Sequence, residues 1–86
     1  MTVRQMLDWC NDRSNLLNAI ADPKADRSLV ASFYADCIMA DSETKHLDDW
    51  RGINEAIMNR WSESALIWIK KSAWNRVKER THDPAR

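Results

Sequence analysis

The near absence of glycine and proline is the feature that most restricts how this chain can fold. Among 86 residues there is one glycine, Gly52, and there are two prolines, Pro23 and Pro84. A β-sheet protein needs turn-forming residues about every 8–12 positions, whereas helices need them only at their ends. We therefore predict an all-α fold, a compact bundle of three or four helices.

The length of the chain limits it to one domain. We predict a single helical domain over residues 1–80 and a frayed C-terminal tail over residues 81–86, where Pro84 prevents further helix. The segments between the predicted helices are short. Short connections favour consecutive helices that pack as antiparallel neighbours.

The first predicted helix covers residues 3–21. Thr2 and Gln5 have the spacing of a capping box at its start, and the position before Pro23 ends it because that position avoids the α region. Apolar side chains recur at helical spacing along the segment and predict one core-facing stripe. This stripe consists of Val3, Met6, Leu7, Cys10, Leu17 and Ala21, widened by Trp9, Leu16 and Ile20.

The second predicted helix covers residues 26–40. Cys10 on the first helix and Cys37 on this one both fall on predicted inward faces, and their spacing fits neither a zinc site nor a redox pair. We expect both thiols to be reduced and packed as small hydrophobic groups. The predicted stripe of this helix consists of Leu29, Val30, Phe33, Cys37 and Ala40, with Tyr34 and Ile38 at its edge.

Residues 41–49 are polar and acidic and predict a solvated connector with capping acids, among which Asp48 is the expected N-cap of the next helix. The segment is the only concentration of groups suited to acid–base or metal chemistry, but it has neither the calcium-loop pattern nor the spacing of a helical zinc site. No nucleophile motif occurs elsewhere. We therefore predict a protein that is not an enzyme and has no cofactor and no metal. The connector groups are Asp41, Glu43, His46, Asp48 and Asp49.

Two further helical segments are predicted over residues 49–61 and 63–80, with Gly52 in the first turn of the third. They form either two helices or one kinked helix, because the apolar side turns by about a quarter of a circle between them. We favour a break near Ser62, which offers an N-cap. The two stripes are Trp50, Ile53, Ile57 and Trp61, then Leu66, Ile69, Ala73 and Val77.

The last helix carries more apolar surface than one core-facing stripe requires. Ile67 and Trp74 point about 90° away from its stripe, and Trp68 points nearly opposite. Either the helix is central and wrapped by the other three, or these side chains form a contact surface, for which tryptophan is well suited. The predicted interaction surface consists of Ile67, Trp68, Lys71, Trp74 and Lys78.

The charges of the two halves of the chain differ in sign. Residues 1–49 contain five Lys/Arg and nine Asp/Glu (net −4), and residues 50–86 contain eight Lys/Arg and four Asp/Glu (net +4). Either the halves attract each other, within one fold or between copies, or the basic half meets an acidic partner.

These features predict a small non-enzymatic protein–protein interaction module that forms a homo-oligomer, or binds another protein, through its last helix. The alternative is a nucleic-acid-associated protein, since cations alternate with aromatic rings on that helix; it is the less favoured hypothesis because the whole chain is neutral. No apolar run resembles a signal peptide or a membrane span. We therefore expect a cytoplasmic protein that does not bind membranes.

Overall fold

The order and limits of the helices follow from where capping and helix-breaking residues fall. The structure, a computed structural model, describes residues 3–41 and 46–81. In this part of the chain there are four α-helices: α1 (Val3–Ala21), α2 (Arg27–Ala40), α3 (Leu47–Arg60) and α4 (Glu63–Thr81). The all-α bundle is confirmed. The predicted cap at Thr2 and residues 82–86 of the predicted tail lie outside the described residues. The tail prediction is wrong for Thr81, which is the last residue of α4.

Two helices begin at side-chain caps. The Asp26 carboxylate accepts a hydrogen bond from the Leu29 backbone N–H at 2.9 Å, and the Ser62 hydroxyl accepts one from the Ala65 N–H at 3.2 Å. Each cap satisfies a backbone donor that a helix start leaves unpaired. The predicted break between α3 and α4 is therefore confirmed, and Ser62 marks it.

The third helix begins earlier than predicted. His46 occupies the N-cap position and makes no side-chain capping bond, while Asp48 and Asp49 lie within the first turn. The prediction of Asp48 as N-cap is therefore wrong. Both acids still stabilise the helix start, because the positive end of the helix dipole favours negative charge there.

The four helices form a ring in which α2 packs on α1 and α4, and α3 packs on α1 and α4. The pairs α1/α4 and α2/α3 face each other diagonally. Trp9 bonds Asp49 near the starts of α1 and α3, and Arg60 bonds Ile20 at their ends, so these two helices run in the same direction. The expectation that all consecutive helices are antiparallel neighbours is wrong for α2 and α3, which lie diagonally opposite each other.

The core contains the predicted stripe of α4 and the middle of each other helix. Among its members, Cys37 is fully enclosed, and burial, with the nearby Asp12 carboxylate as a smaller cause, raises the pKa of its thiol to about 12. This thiol is therefore protonated and unreactive near neutral pH. The largest fully buried side chains are Leu16, Val30, Cys37, Ile53, Ile57 and Ile69.

The first helix faces the core with the residues predicted to widen its stripe, and not with the centre of the stripe. Its buried residues are Trp9, Leu16, Ala19 and Ile20. The indole of Trp9 has more apolar surface to bury than Val3, Met6, Leu7 or Leu17. The prediction that both cysteines face inward is therefore wrong for Cys10. The exposed residues of the predicted stripe are Val3, Met6, Leu7, Cys10, Leu17 and Ala21.

The second helix is rotated slightly from its predicted orientation. Leu29 is exposed, and Tyr34, predicted at the edge, is buried. The phenol of Tyr34 donates a hydrogen bond to Asn54 Oδ1 of α3 at 2.8 Å, across the diagonal of the ring. A buried hydroxyl requires such a partner, and this bond fixes which side of α2 faces inward.

Gly52 lies in the second turn of α3, not the first as predicted, and no neighbour requires a glycine there. A Cβ atom placed on it would have no atom within 4 Å, so close packing does not explain the residue. We expect Gly52→Ala to raise the free energy of unfolding by about 0.5–1 kcal/mol, because alanine loses less backbone entropy on entering a helix. Urea denaturation measures this change, and a decrease in stability would contradict it.

Candidate interaction surface

The predicted surface of α4 is accessible to solvent along its whole length. Ile67 is 61% exposed, Trp68 46% and Trp74 50%, and Lys71 and Lys78 are also exposed. Ile67 and Trp74 lie two turns apart on one side of the helix, and Trp68 lies about 100° further round. None of the three apolar side chains is enclosed by the other helices, so the alternative of a wrapped central helix does not describe this chain.

A groove of about 630 Å³ lies beside Trp74. Its walls are the first turns of α3 and the second half of α4, and the end of α2 forms its floor. Two of its apolar lining residues, Met39 and Leu47, are largely exposed. The apolar lining residues are Ile38, Met39, Leu47, Trp50, Trp74 and Val77, and the polar ones are Tyr34, Asp41, Asn54, Lys70 and Thr81.

The groove lies away from the junction of α3 and α4. The two helices are joined by only Trp61 and Ser62, and the groove is lined by residues distant from this junction on both of them. Tyr34 fills the space beneath, where its ring contacts Trp50 with centroids 4.8 Å apart. Burial raises the pKa of the Tyr34 phenol, which keeps it a neutral donor.

The basic residues of α4 divide into two sets. Arg76 donates to the backbone carbonyl of Ser28 at 2.9 Å, and Arg80 forms an ion pair with Asp36. Both arginines therefore bind α2. In these contacts, part of the positive charge of the second half of the chain binds the first half of the same protomer. The remaining set, Lys70, Lys71 and Lys78, is exposed and forms no ion pair with any described carboxylate. We call these three lysines the basic rim.

Two acidic residues of α3 are exposed outside the lining of the groove. Asp48 and Glu55 are exposed on the outer side of α3, and neither forms an ion pair with a described cation. Arg51, three residues after Asp48 and four before Glu55, lies between them and, by helical spacing, nearer to the groove than either acid.

Three groups of the predicted connector meet between α1 and α3. The Trp50 Nε1–H donates to Asp41 at 2.7 Å, and the Trp9 Nε1–H donates to Asp49 at 3.1 Å. The imidazole of His46 stacks on Trp9 with ring centroids 4.3 Å apart. The prediction of a solvated linker is therefore wrong for Asp41, His46 and Asp49, which are structural, while Glu43 lies outside the described residues.

This cluster does not have the arrangement of a metal centre. In the described ranges, no three His, Cys, Asp or Glu side chains are grouped so that they could hold a metal ion. Arg13 also donates to Asp49, at 3.2 Å. The two carboxylates thus accept hydrogen bonds that orient the indoles of the core.

Sequence reasoning missed two residues of the groove, Met39 and Leu47. Leu47 is the only apolar residue of the polar segment 41–49. An apolar residue isolated among polar ones was the one sign in the sequence that this position has a role. Met39 lies beside the predicted stripe of α2, so its position on the outer side gave no signal of a function. The position of both residues in the groove depends on how α3 packs relative to α4. The spacing of apolar residues along a single helix does not predict that packing.

Comparison of the chain with protein families, curated protein sequences and solved structures gave no match. The function must therefore be argued from the surface itself. No helix within residues 3–41 and 46–81 has the length and apolar character needed to cross a bilayer.

Proposed function

We propose that this protein is a non-enzymatic interaction module that self-associates through α4. The observation that carries the proposal is the exposure of Trp68 and Trp74, each about half accessible, on the helix whose opposite side forms the core. Tryptophan is enriched among the residues that dominate binding energy at protein interfaces. The homo-oligomer is the simplest arrangement, because twofold dimers are the commonest assemblies.

The groove strengthens the proposal. Protein interfaces combine an apolar centre with a polar rim, and the groove beside Trp74 has an apolar lining with Lys70, Asn54 and Thr81 at its polar positions. A standard interface buries about 800 Å² on each partner. The exposed apolar surface extends along most of α4. It consists of Ile67, Trp68, Trp74 and the mouth of the groove.

The double variant Trp68→Ala, Trp74→Ala tests this function. We expect the wild type to sediment as a dimer at micromolar concentration and the double variant as a monomer with unchanged helical circular dichroism. Each hot-spot truncation costs about 2 kcal/mol or more, and about 1.4 kcal/mol is tenfold in Kd. Both changes occur twice in a twofold dimer, so the loss of affinity is large.

A matched control removes exposed apolar side chains from another helix. Met6 and Leu7 of α1 are as accessible as the residues of α4, so Met6→Ala, Leu7→Ala changes apolar exposure without touching the proposed interface. This variant should remain a dimer. A monomeric wild type would contradict the proposal, and so would a dimer that the α1 changes disrupt and the α4 changes leave intact.

Nucleic-acid binding has less support. Two of the cations that suggested it, Arg76 and Arg80, bind α2 in the folded protein. The basic rim and the exposed indoles remain, so fluorescence anisotropy with a single-stranded oligonucleotide at low salt is the test. Binding by a monomeric wild type, lost in the Trp68→Ala, Trp74→Ala variant, would favour this function instead.

A further inference from the structure

We infer that the groove beside Trp74 binds a small amphipathic anion, an aliphatic carboxylate of the fatty-acid class. The carboxylate of the ligand lies at Lys70 and Asn54, and its chain follows the groove toward Met39 and Leu47. This inference goes beyond the proposed self-association and does not depend on it, because every lining residue belongs to one protomer.

The hydroxyl groups of the groove already have partners within the fold. The Tyr34 phenol donates to Asn54 Oδ1 at 2.8 Å, and the Thr81 hydroxyl donates to the Val77 carbonyl at 2.9 Å. With its Oδ1 occupied by Tyr34, Asn54 has its NH2 group left to offer, and this group donates to no other described residue. The groups that can select a ligand are therefore the Asn54 NH2 and the two charged side chains of the lining.

Only one of these two charged side chains is accessible. The Asp41 carboxylate accepts a hydrogen bond from the Trp50 Nε1–H at 2.7 Å, and its side chain is 4% exposed. Lys70 is exposed and forms no ion pair with a described carboxylate. By helical spacing, the charged residue of α3 nearest to the lining is Arg51, which is also a cation. The charge that the groove offers to a ligand is therefore positive.

The two available donors lie at the same end of the groove. The helices α3 and α4 pack on each other and are joined by only two residues, so they run in opposite directions. On each helix, the lining residue nearest to this junction is a donor, Asn54 on α3 and Lys70 on α4. Donors at one end of an apolar groove favour a ligand with one anionic group and a hydrocarbon body.

The size of the groove fits such a ligand. Its volume of about 630 Å³ falls within the range of small-molecule sites, about 300–1,000 Å³. Along α4 the lining extends from Lys70 to Thr81, which is about 16 Å at the rise of an α-helix. An aliphatic chain of this length covers Met39 and Leu47, which are 45% and 65% exposed. Burial of these apolar surfaces supplies the affinity.

A titration with laurate, below the concentration at which it forms micelles, tests the inference. We expect saturable NMR shifts of the Trp74 Nε1–H and the Asn54 NH2 with a single Kd. Dodecyltrimethylammonium, which has the same chain and a cationic head group, should bind about tenfold more weakly or less. Both titrations use the wild type and the Trp68→Ala variant, in which the groove lining is intact and the proposed self-association is weakened.

A lysine pair on α4 tests the position of the carboxylate. Lys70→Met removes the charge and keeps an unbranched side chain, so we expect the Kd for laurate to rise about tenfold. Lys78→Met is the matched control, because Lys78 is exposed on the same helix and lies outside the lining. Its Kd should stay within about twofold of the wild type. Circular dichroism shows that each variant retains its helices.

The outcomes separate this inference from the proposed function. The absence of saturable shifts in the Trp68→Ala variant would overturn the inference and leave self-association to be decided by sedimentation. Equal affinity for the two amphiphiles would overturn it too, and so would an equal loss from Lys70→Met and Lys78→Met. A monomeric wild type that binds laurate with the expected shifts would support the inference and contradict the proposed self-association.

Discussion

Replacing Leu16 with alanine is expected to lower the free energy of unfolding by about 3 kcal/mol, while the same replacement at the adjacent Leu17 costs less than about 1 kcal/mol. Leu16 is fully buried, and Leu17 is 37% exposed. The larger loss combines the lost transfer free energy of the side chain with the cavity that remains. For a domain of this size, it corresponds to a decrease in Tm of roughly 12–24 °C.

The two leucines make a matched pair because their chemistry and their helix are identical. Urea denaturation of both alanine variants measures the difference directly. Sequence periodicity placed Leu17 on the predicted stripe and Leu16 among the residues that widen it, so the experiment decides between the two orientations of α1. A larger cost at Leu17 than at Leu16 would show that α1 faces the core with its predicted side.

Arg60→Ala is expected to lower the free energy of unfolding by about 2–3 kcal/mol. Its guanidinium donates to the carbonyls of Ala19 and Ile20 in the last turn of α1 at 3.2 and 3.1 Å, and to those of Pro23 and Ala25 in the following connection. Helix ends leave carbonyls unpaired, and α1 has no basic residue in its own last turn. Arg60 supplies both donors and positive charge from α3.

Lysine should not restore this stability. A single ammonium group cannot reach four carbonyls, and it also loses the planar stacking of the guanidinium over Trp61, where the distance to the ring centroid is 4.1 Å. We expect Arg60→Lys to recover less than half of the loss in urea denaturation. Arg4→Ala, at an exposed arginine of α1, is the control and should change stability by less than about 0.5 kcal/mol. Full recovery by lysine would show that charge alone matters.

The sequence predicts α4 and α1 with different success for a physical reason. On α4, Leu66, Ile69, Ala73 and Val77 follow one another at spacings of three and four residues, so the helical period indicates the buried side even though other apolar residues lie elsewhere on the helix. On α1, apolar residues cover more than half of the circumference, and two orientations are compatible with the pattern. The choice depends on Trp9 and on its hydrogen bond to Asp49, a residue 40 positions later, which local periodicity does not contain.

The candidate surface could likewise be predicted from the sequence only in part. The exposure of Ile67, Trp68 and Trp74 could be predicted because it depends only on the direction in which each residue leaves one helix. The groove could not be predicted, because it depends on the separation of α3 from α4 and on the position of Tyr34 beneath them. The structural use of Asp41 and His46 was missed for the same reason, since their partners lie on other helices.

The pairing of two indoles with two carboxylates has a consequence for how this protein can be redesigned. Trp9 with Asp49, and Trp50 with Asp41, each join a ring donor to an acceptor on another segment. Removing one member of a buried pair costs far more than replacing both with apolar groups of similar shape. A library that randomises position 50 alone should therefore retain mostly tryptophan. A library that varies positions 50 and 41 together should also yield folded variants with apolar residues at both positions, which no single replacement can produce.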